Sequence, residues 1–260
     1  LEDGEIKGFT LSWPSGDEDR RRRVLAEMQK SFVRTNGVLS AKTSLDQEQR
    51  IDLLAGLEIR QPSVARSGFY VDSAGSVVTT DEVVRGCTRI TLDDEYDAQI
   101  VASDAELGVA IVRPNEPLAP LGIAMFTDQS PRLQSEVALG GYSFGGVLGA
   151  PTVTFGKLSD VRGLRGENNI KRLAMSPLPS DAGGPVVDSN GRLLGMLLPA
   201  PNNGQNLPQD VSFARDGASI RTMLDVSGFG VETAAEGSQM AAEDLRALSA
   251  AMTVLVSCWE

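Results

Sequence analysis

Histidine is absent from all 260 residues of the sequence. Without an imidazole, the chain has no histidine general base, no histidine metal ligand and no imidazole pH switch. Aromatic residues make up only 5% of the chain, whereas glycine occurs 27 times. This combination favours short strands joined by tight turns over a bundle of helices.

Basic residues and long apolar runs are also scarce. Lys and Arg number 24 against 35 Asp and Glu, which gives a formal net charge of −11. A chain this acidic gains nothing from the release of counterions, so we expect no binding to nucleic acid. No apolar run reaches the ~20 residues that a transmembrane helix requires, so we expect no transmembrane segment in this chain.

The sequence contains only two cysteines, Cys87 and Cys258. They allow a single intramolecular pairing, and a Cys87–Cys258 disulfide would tie the C-terminal tail to the body of the protein. The alternative is two separately buried thiols, since free cysteine packs as a small hydrophobic residue. We expect the disulfide, and because disulfides persist in oxidising compartments we expect an exported, periplasmic-type protein.

Local patterns divide the chain into three stretches, 1–60, 61–225 and 226–260. The first reads as an appendage with a strand at Gly8–Trp13, a helix carrying Val24, Leu25, Met28 and Phe32, and a second helix carrying Ile51, Leu54 and Leu57. In the second, short β-rich runs alternate with Gly, Asp, Asn and Pro turns, which is typical of a β-sandwich or a pair of barrels. The third reads as a C-terminal extension of one helix and one strand.

The most specific motif is Ser180-Asp181-Ala182-Gly183-Gly184-Pro185-Val186-Val187. It resembles the nucleophile loop of trypsin-type proteases of the HtrA-like branch, which reads Gly-Asn-Ser-Gly-Gly-Pro-Leu-Val. In that loop the glycines let two backbone N–H groups converge as an oxyanion hole, and the serine projects into the cleft. Ala182 stands at the serine position, and its methyl group cannot attack a carbonyl carbon.

Four further segments fall in the order and spacing of the same family. They are Ser67–Asp72, Val77–Val84, Asp104–Ala110 and Val153–Ser159. In this register Glu82 stands at the histidine position of the triad and Glu106 at the aspartate position. The resemblance, which covers about residues 62–225, implies a mainly β fold. Its core would be two six-stranded antiparallel β-barrels of trypsin type, with a small α/β N-terminal appendage and a C-terminal helix–strand extension.

With Glu82, Glu106 and Ala182 at the triad positions, the resemblance implies a degenerate serine protease homologue, a pseudoprotease that is not an enzyme. The oxyanion loop would survive as a remnant formed by Ser180, Asp181, Gly183 and Gly184. The walls of the cleft would be formed by Gly195, Met196, Leu197, Val211, Ser212 and Phe213. Such a cleft can bind an extended peptide as an added strand, so we expect a protein or peptide partner, or a scaffolding role, and no cofactor.

The carboxylates of Glu82 and Glu106, with Asp181 nearby, allow alternative functions. Oxygen ligands suit Ca²⁺, Mg²⁺ or Mn²⁺, so one alternative is a metal site. Another is residual hydrolysis of a non-peptide substrate by a carboxylate pair. The third is that these positions became solvated surface once catalysis was lost; our expectation is no metal.

Overall fold

The computed structural model describes residues 18–31, 50–52, 57–59, 61–200, 208, 210–234 and 238–260. The chain forms two compact units, Leu1–Arg60 and Gln61–Glu260. In the first unit, helix α1 spans Glu18–Ser31, and the strands β1 (Arg50–Asp52) and β2 (Leu57–Ile59) form an antiparallel pair.

The helix predicted over Ile51 and Leu57 is wrong at both of these residues, because each lies in a strand. Each strand also carries an isoleucine, whose branched side chain favours extended backbone. The strand predicted at Gly8–Trp13 and the rest of the predicted second helix lie outside the described residues.

The first barrel contains strands from both ends of the second unit. Its strands are β3 (Val64–Tyr70), β4 (Val77–Thr80), β5 (Arg89–Leu92), β6 (Tyr96–Asp104), β7 (Val109–Pro114) and β14 (Thr253–Trp259). They close in the order β14-β3-β4-β7-β6-β5, and the short helix α2 (Asp81–Val84) follows β4. The sequence-based boundary at residue 225 therefore separates β14 from the barrel that it completes.

The second barrel is built from six strands that follow one another in the chain. They are β8 (Glu136–Gly141), β9 (Thr152–Asp160), β10 (Ile170–Ala174), β11 (Pro185–Asp188), β12 (Leu193–Leu197) and β13 (Val211–Asp216). They close in the order β10-β13-β12-β11-β8-β9. Helix α3 (Gly217–Val226) follows β13, and helix α4 (Ala242–Met252) leads into β14. The prediction of two closed six-stranded antiparallel barrels is confirmed.

Three apolar cores hold the second unit together. One fills the first barrel and includes Val77, Leu92 and Val256. Another fills the second barrel and includes Leu173 and Val186. The largest joins the two barrels to α3 and α4 through fully buried side chains such as those of Phe69, Met196 and Ile220. Burial of this much apolar surface stabilises the arrangement of the two barrels against each other.

The predicted disulfide between Cys87 and Cys258 is confirmed, with the two Cα atoms 5.4 Å apart. Cys87 precedes β5 and Cys258 lies in β14, so the bridge joins two neighbouring parts of the first barrel. Among the helices that the structure describes, none is both long and apolar enough to span a membrane.

Candidate functional site

The segment with the nucleophile-loop motif lies between the two barrels and is bonded to both. A single 3-10 turn covers Pro179–Asp181, and Ala182 follows it. The carbonyl oxygen of Ala182 accepts a hydrogen bond from the N–H of Ser67 in the first barrel, at 3.0 Å. The N–H of Gly183 donates to the carbonyl of Leu197 in the second barrel at 2.8 Å, and the N–H of Leu197 donates to Gly184 at 3.0 Å. These bonds fix the backbone of the loop.

Two positions in this loop accept only glycine. Gly183 has φ of +90°, a conformation that other residues rarely adopt, and a Cβ there would clash with the carbonyl oxygen of Ser67. A Cβ at Gly184 would clash with the carbonyl oxygen of Gly140. The two glycines are therefore required by close backbone approach on both sides of the loop.

The N–H groups of the turn are directed at carbonyl groups of the loop itself. Asp181 N–H donates to the carbonyl oxygen of Leu178 at 3.0 Å, and Ala182 N–H to that of Pro179 at 3.4 Å. In this conformation the Ala182 amide points at Pro179, whereas an oxyanion hole requires it to point into the cleft. Ala182 itself is only 2% exposed.

Asp181 is a buried carboxylate that braces the turn from inside. Its Oδ1 accepts a hydrogen bond from the Ser143 hydroxyl at 2.7 Å, and its Oδ2 accepts one from the Leu178 N–H at 2.8 Å. Burial raises the pKa of Asp181, and the two hydrogen bonds offset only part of that effect. Its contacts support a structural role in the loop.

Glu82, at the predicted histidine position, lies in α2 and forms an ion pair with Arg66 of β3. The preceding residue, Asp81, is buried, and its carboxylate is bonded to Ser103 and Arg85. Its N–H donates to the carbonyl of Gly108 at 3.2 Å. The negative charge of Glu82 is thus balanced by the guanidinium group of Arg66 on the first barrel.

Glu106, at the predicted aspartate position, is exposed in the turn between β6 and β7. Its backbone is engaged: the N–H donates to Asp104 Oδ1 at 2.9 Å, and the carbonyl accepts from Arg215 Nη2 at 3.2 Å. No hydrogen bond or ion pair links its side chain to Glu82 in the region 61–200, where both residues lie. Across the described part of the chain, no group of three or more His, Cys, Asp or Glu side chains could hold a metal ion.

The predicted cleft walls lie in β12 and β13, but most of their side chains face the cores. Met196 and Leu197 are 0% and 1% exposed, and a Cβ at Gly195 would clash with the carbonyl oxygen of Arg215. Ser212 is buried as well, whereas Val211 and Phe213 are partly exposed. After the end of β12, exposure increases along the segment 198–200.

Two residues that support the loop were missed by the sequence analysis in this role. Ser67 Oγ donates to the carbonyl of Ser180 at 2.8 Å and accepts from the N–H of Tyr142 at 2.8 Å. Ser67 lies in the segment Ser67–Asp72, which resembles the protease family. The bond from its hydroxyl to Ser180 joins residues 113 positions apart, and no sequence pattern indicates such a contact. Tyr142 lies in none of the motifs that the sequence analysis identified.

Comparison with known proteins identifies related sequences. A family model described as "Trypsin-like peptidase domain" matches residues 66–196, just over half of the 260 residues. "Uncharacterized protein y4bJ" of Sinorhizobium fredii is 27% identical over 75% of this chain and 32% of its own length. "Protease Do-like 1, chloroplastic" of Arabidopsis thaliana is 31% identical over 59% of this chain and 37% of its own length.

A further relative, "Probable periplasmic serine endoprotease DegP-like" of Bartonella henselae, is 28% identical over 63% of this chain and 33% of its own length. The chain thus spans about a third of the length of these curated relatives. Among solved structures, "HtrA-type protease AlgW with decapeptide" superposes with a TM-score of 0.53 at 23% identity, over 62% of this chain and 51% of that chain. This likeness shows the shared fold.

The prediction that the chain is not an enzyme is wrong when set against these relatives. Two of them are named as a protease, at 31% identity, and as a probable serine endoprotease, at 28% identity, and they point to a protease. The prediction rested on Glu82, Glu106 and Ala182, which a sequence register assigned to the triad positions, and on the absence of histidine from the sequence.

Proposed function

Because the chain belongs to the trypsin-like peptidase domain family and has HtrA-type relatives, we propose that its double-barrel unit binds an extended polypeptide segment of a partner protein. The carrying observation is the Ser180–Gly184 loop, whose backbone is bonded to Ser67 on one barrel and to Leu197 on the other. A peptide added as a strand is held by main-chain hydrogen bonds, so binding requires no nucleophilic side chain.

The edge to which we assign the peptide is the segment 198–200. It continues from β12 directly beside the loop, because Leu197 exchanges hydrogen bonds with both Gly183 and Gly184. Its side chains become progressively more exposed towards Ala200. The solved structure "HtrA-type protease AlgW with decapeptide" supports a peptide as a ligand for a protein of this fold.

The finer form of the proposal is that the triad has been lost and that binding proceeds without the Ser-His-Asp mechanism. Its support is Ala182 in the serine position of the loop and the absence of histidine from the sequence. Peptide hydrolysis is the second candidate function, favoured by the relatives named as a protease and as a serine endoprotease. Hydrolysis by this chain would have to run without an imidazole base.

We further propose that the protein is exported and works in the periplasm. Two observations support this location: the Cys87–Cys258 disulfide, which persists in an oxidising compartment, and the relative named as periplasmic. The net charge of −11 supports a protein partner over nucleic acid.

Fluorescence anisotropy of labelled, unfolded casein mixed with the full chain tests binding and hydrolysis together. We expect a stable rise. Leu178 is 42% exposed immediately before the loop, so a charge at this position should repel an apolar segment, and Leu178→Arg should raise Kd about tenfold. The control is Leu164→Arg in the β9–β10 turn, a leucine that is 51% exposed; it should leave Kd unchanged.

Other outcomes of this experiment are equally informative. A slow fall of anisotropy would demonstrate hydrolysis of casein, provided that the cleaving activity copurifies with the chain. A flat trace would contradict general polypeptide binding. A scaffolding role for the first unit is tested by deleting residues 1–60: casein binding in the cleft should survive, because both barrels lie within Gln61–Glu260.

A further inference from the structure

Two consecutive aspartates form the turn between β5 and β6. Asp93 and Asp94 have φ of 51° and 60°, in the left-handed region that glycine occupies at least cost. Aspartate is one of the few other residues that adopt this conformation, because its short side chain can hydrogen-bond locally. Two such residues in succession indicate that the turn needs their carboxylates.

The two carboxylates bind different parts of the molecule. Asp94 Oδ1 accepts a hydrogen bond from the hydroxyl of Ser257 at 2.6 Å, which stays within the first barrel. Asp93 Oδ1 accepts one from the N–H of Leu255 and another from the hydroxyl of Tyr142, both at 3.0 Å. Tyr142 follows β8, so Asp93 links the first barrel to the second.

Tyr142 continues this link to the Ser180–Gly184 loop. Its N–H donates to the hydroxyl of Ser67, and that hydroxyl donates to the carbonyl of Ser180, each at 2.8 Å. Three hydrogen bonds of ordinary length therefore connect the Asp93 carboxylate to the loop.

The Asp93–Tyr142 bond lies at the boundary of the buried region, because Tyr142 is 9% exposed whereas Asp93 is an exposed residue of the turn. Burial raises the pKa of Asp93 although the hydrogen bonds from Leu255 and Tyr142 act in the opposite direction. Burial also raises the pKa of the Tyr142 phenol, and the charge of Asp93 adds to this effect. A hydrogen bond from a phenol to a carboxylate is charge-assisted, and such a bond is stronger than one between two neutral groups.

We propose that Asp93 and Tyr142 are positioning residues for the cleft: their hydrogen bond across the two barrels holds the Ser180–Gly184 loop in the conformation that binds polypeptide. The effect on binding rests on the proposed function. The effect on the conformation of the loop does not, and it can be measured in the free protein.

The first test is hydrogen–deuterium exchange of the loop amides in the full chain. Tyr142→Phe removes one hydroxyl, and exchange at Gly183 and Gly184 should accelerate about tenfold, as expected for loss of a hydrogen bond to a charged group. Ser257→Ala is the matched control, because it also removes one hydroxyl that donates to a carboxylate of this turn, but that bond to Asp94 lies within the first barrel and its loss changes no charge. Equal exchange in wild type and Tyr142→Phe would overturn the proposal.

A double-mutant cycle with Ser67→Ala tests whether the effect passes through the hydroxyl. Ser67→Ala breaks the path between Tyr142 and Ser180 while leaving the Asp93–Tyr142 bond in place. Tyr142→Phe should then accelerate loop exchange little further, since residues in one network act non-additively. Two full, additive effects would contradict the path.

Casein affinity separates this inference from the proposed function. We expect Kd to rise in Tyr142→Phe by about the same factor as the loop opening, and to stay unchanged in Ser257→Ala. Unchanged casein affinity in a Tyr142→Phe protein whose loop exchanges faster would overturn control of the cleft. Wild-type protein that binds no casein would refute the proposed function, and the exchange data would then decide the positioning role alone.

Discussion

The two barrels contain the same number of strands but close in different ways. All six strands of the second barrel follow one another between Glu136 and Asp216. The first barrel takes five strands from Val64–Pro114 and its sixth, β14, from Thr253–Trp259. β14 pairs with β3 on one side and β5 on the other, so without it the first barrel is an open sheet with two exposed edges.

The difference shows what each barrel depends on. The second barrel is held by contacts between strands that are near in sequence. The first barrel closes only when β14 pairs with strands far from it in sequence, and closing this long loop of chain costs conformational entropy. The disulfide spans 171 positions and fastens this long-range closure. We therefore expect the first barrel to open before the second when either is weakened.

Removing the disulfide should have the largest effect. Replacing Cys87 and Cys258 together by serine releases the constraint on the unfolded chain and should lower the free energy of unfolding by about 4 kcal/mol, measured by urea denaturation. Amide exchange should accelerate in β5 and β14 and remain slow in β9 and β10. Equal acceleration of amide exchange in the two barrels would show that the disulfide stabilises the whole second unit and not mainly the first barrel.

A matched pair of valine truncations sharpens the comparison. Val256 in β14 and Val186 in β11 are both fully buried, one in each barrel interior. Truncation of either to alanine should cost about 2 kcal/mol, because it removes two methyl groups and leaves a cavity. We expect Val256→Ala to accelerate exchange in the first barrel only. Acceleration in the second barrel of the Val256→Ala protein would argue that the barrels unfold as one.

The smallest effect concerns the buried carboxylate of the second barrel, Asp181, whose pKa is raised by burial. The folded state then holds its proton to higher pH than the unfolded state. Stability therefore falls as pH rises from the usual aspartate pKa through the raised one. Asp181→Asn should flatten this dependence, measured as the unfolding free energy from pH 4 to 7. A variant with the pH dependence of wild type would assign it to other groups, such as Asp93.

Much of the fold could be predicted from sequence because alternating short strands and turns are local patterns. The glycines of the loop were also predictable, since close backbone approach at Gly183 and Gly184 excludes any side chain. The disulfide followed from there being only two cysteines.

The support of the site could not be predicted, because it depends on contacts between distant residues. Nothing in the sequence near Asp93 indicates that its carboxylate meets Tyr142, 49 positions away. The register that placed Glu106 at a triad position did not reveal that the β6–β7 turn leaves its side chain exposed. Likewise, β14 was predicted as a strand, but strand propensity does not indicate which strands it pairs with, and its pairing with β3 and β5 was not predicted.

The late position of β14 also has a consequence for biogenesis. A polypeptide emerges from the ribosome, or from a translocation channel, from its N-terminus onward. The second barrel can therefore close before residues 253–259 have been made. The first barrel cannot close until then, although five of its six strands are synthesised before those of the second barrel. Until then the unpaired edges of β3 and β5 are exposed and can pair with other chains. Oxidation of Cys87 with Cys258 can occur only after residues 253–259 have emerged.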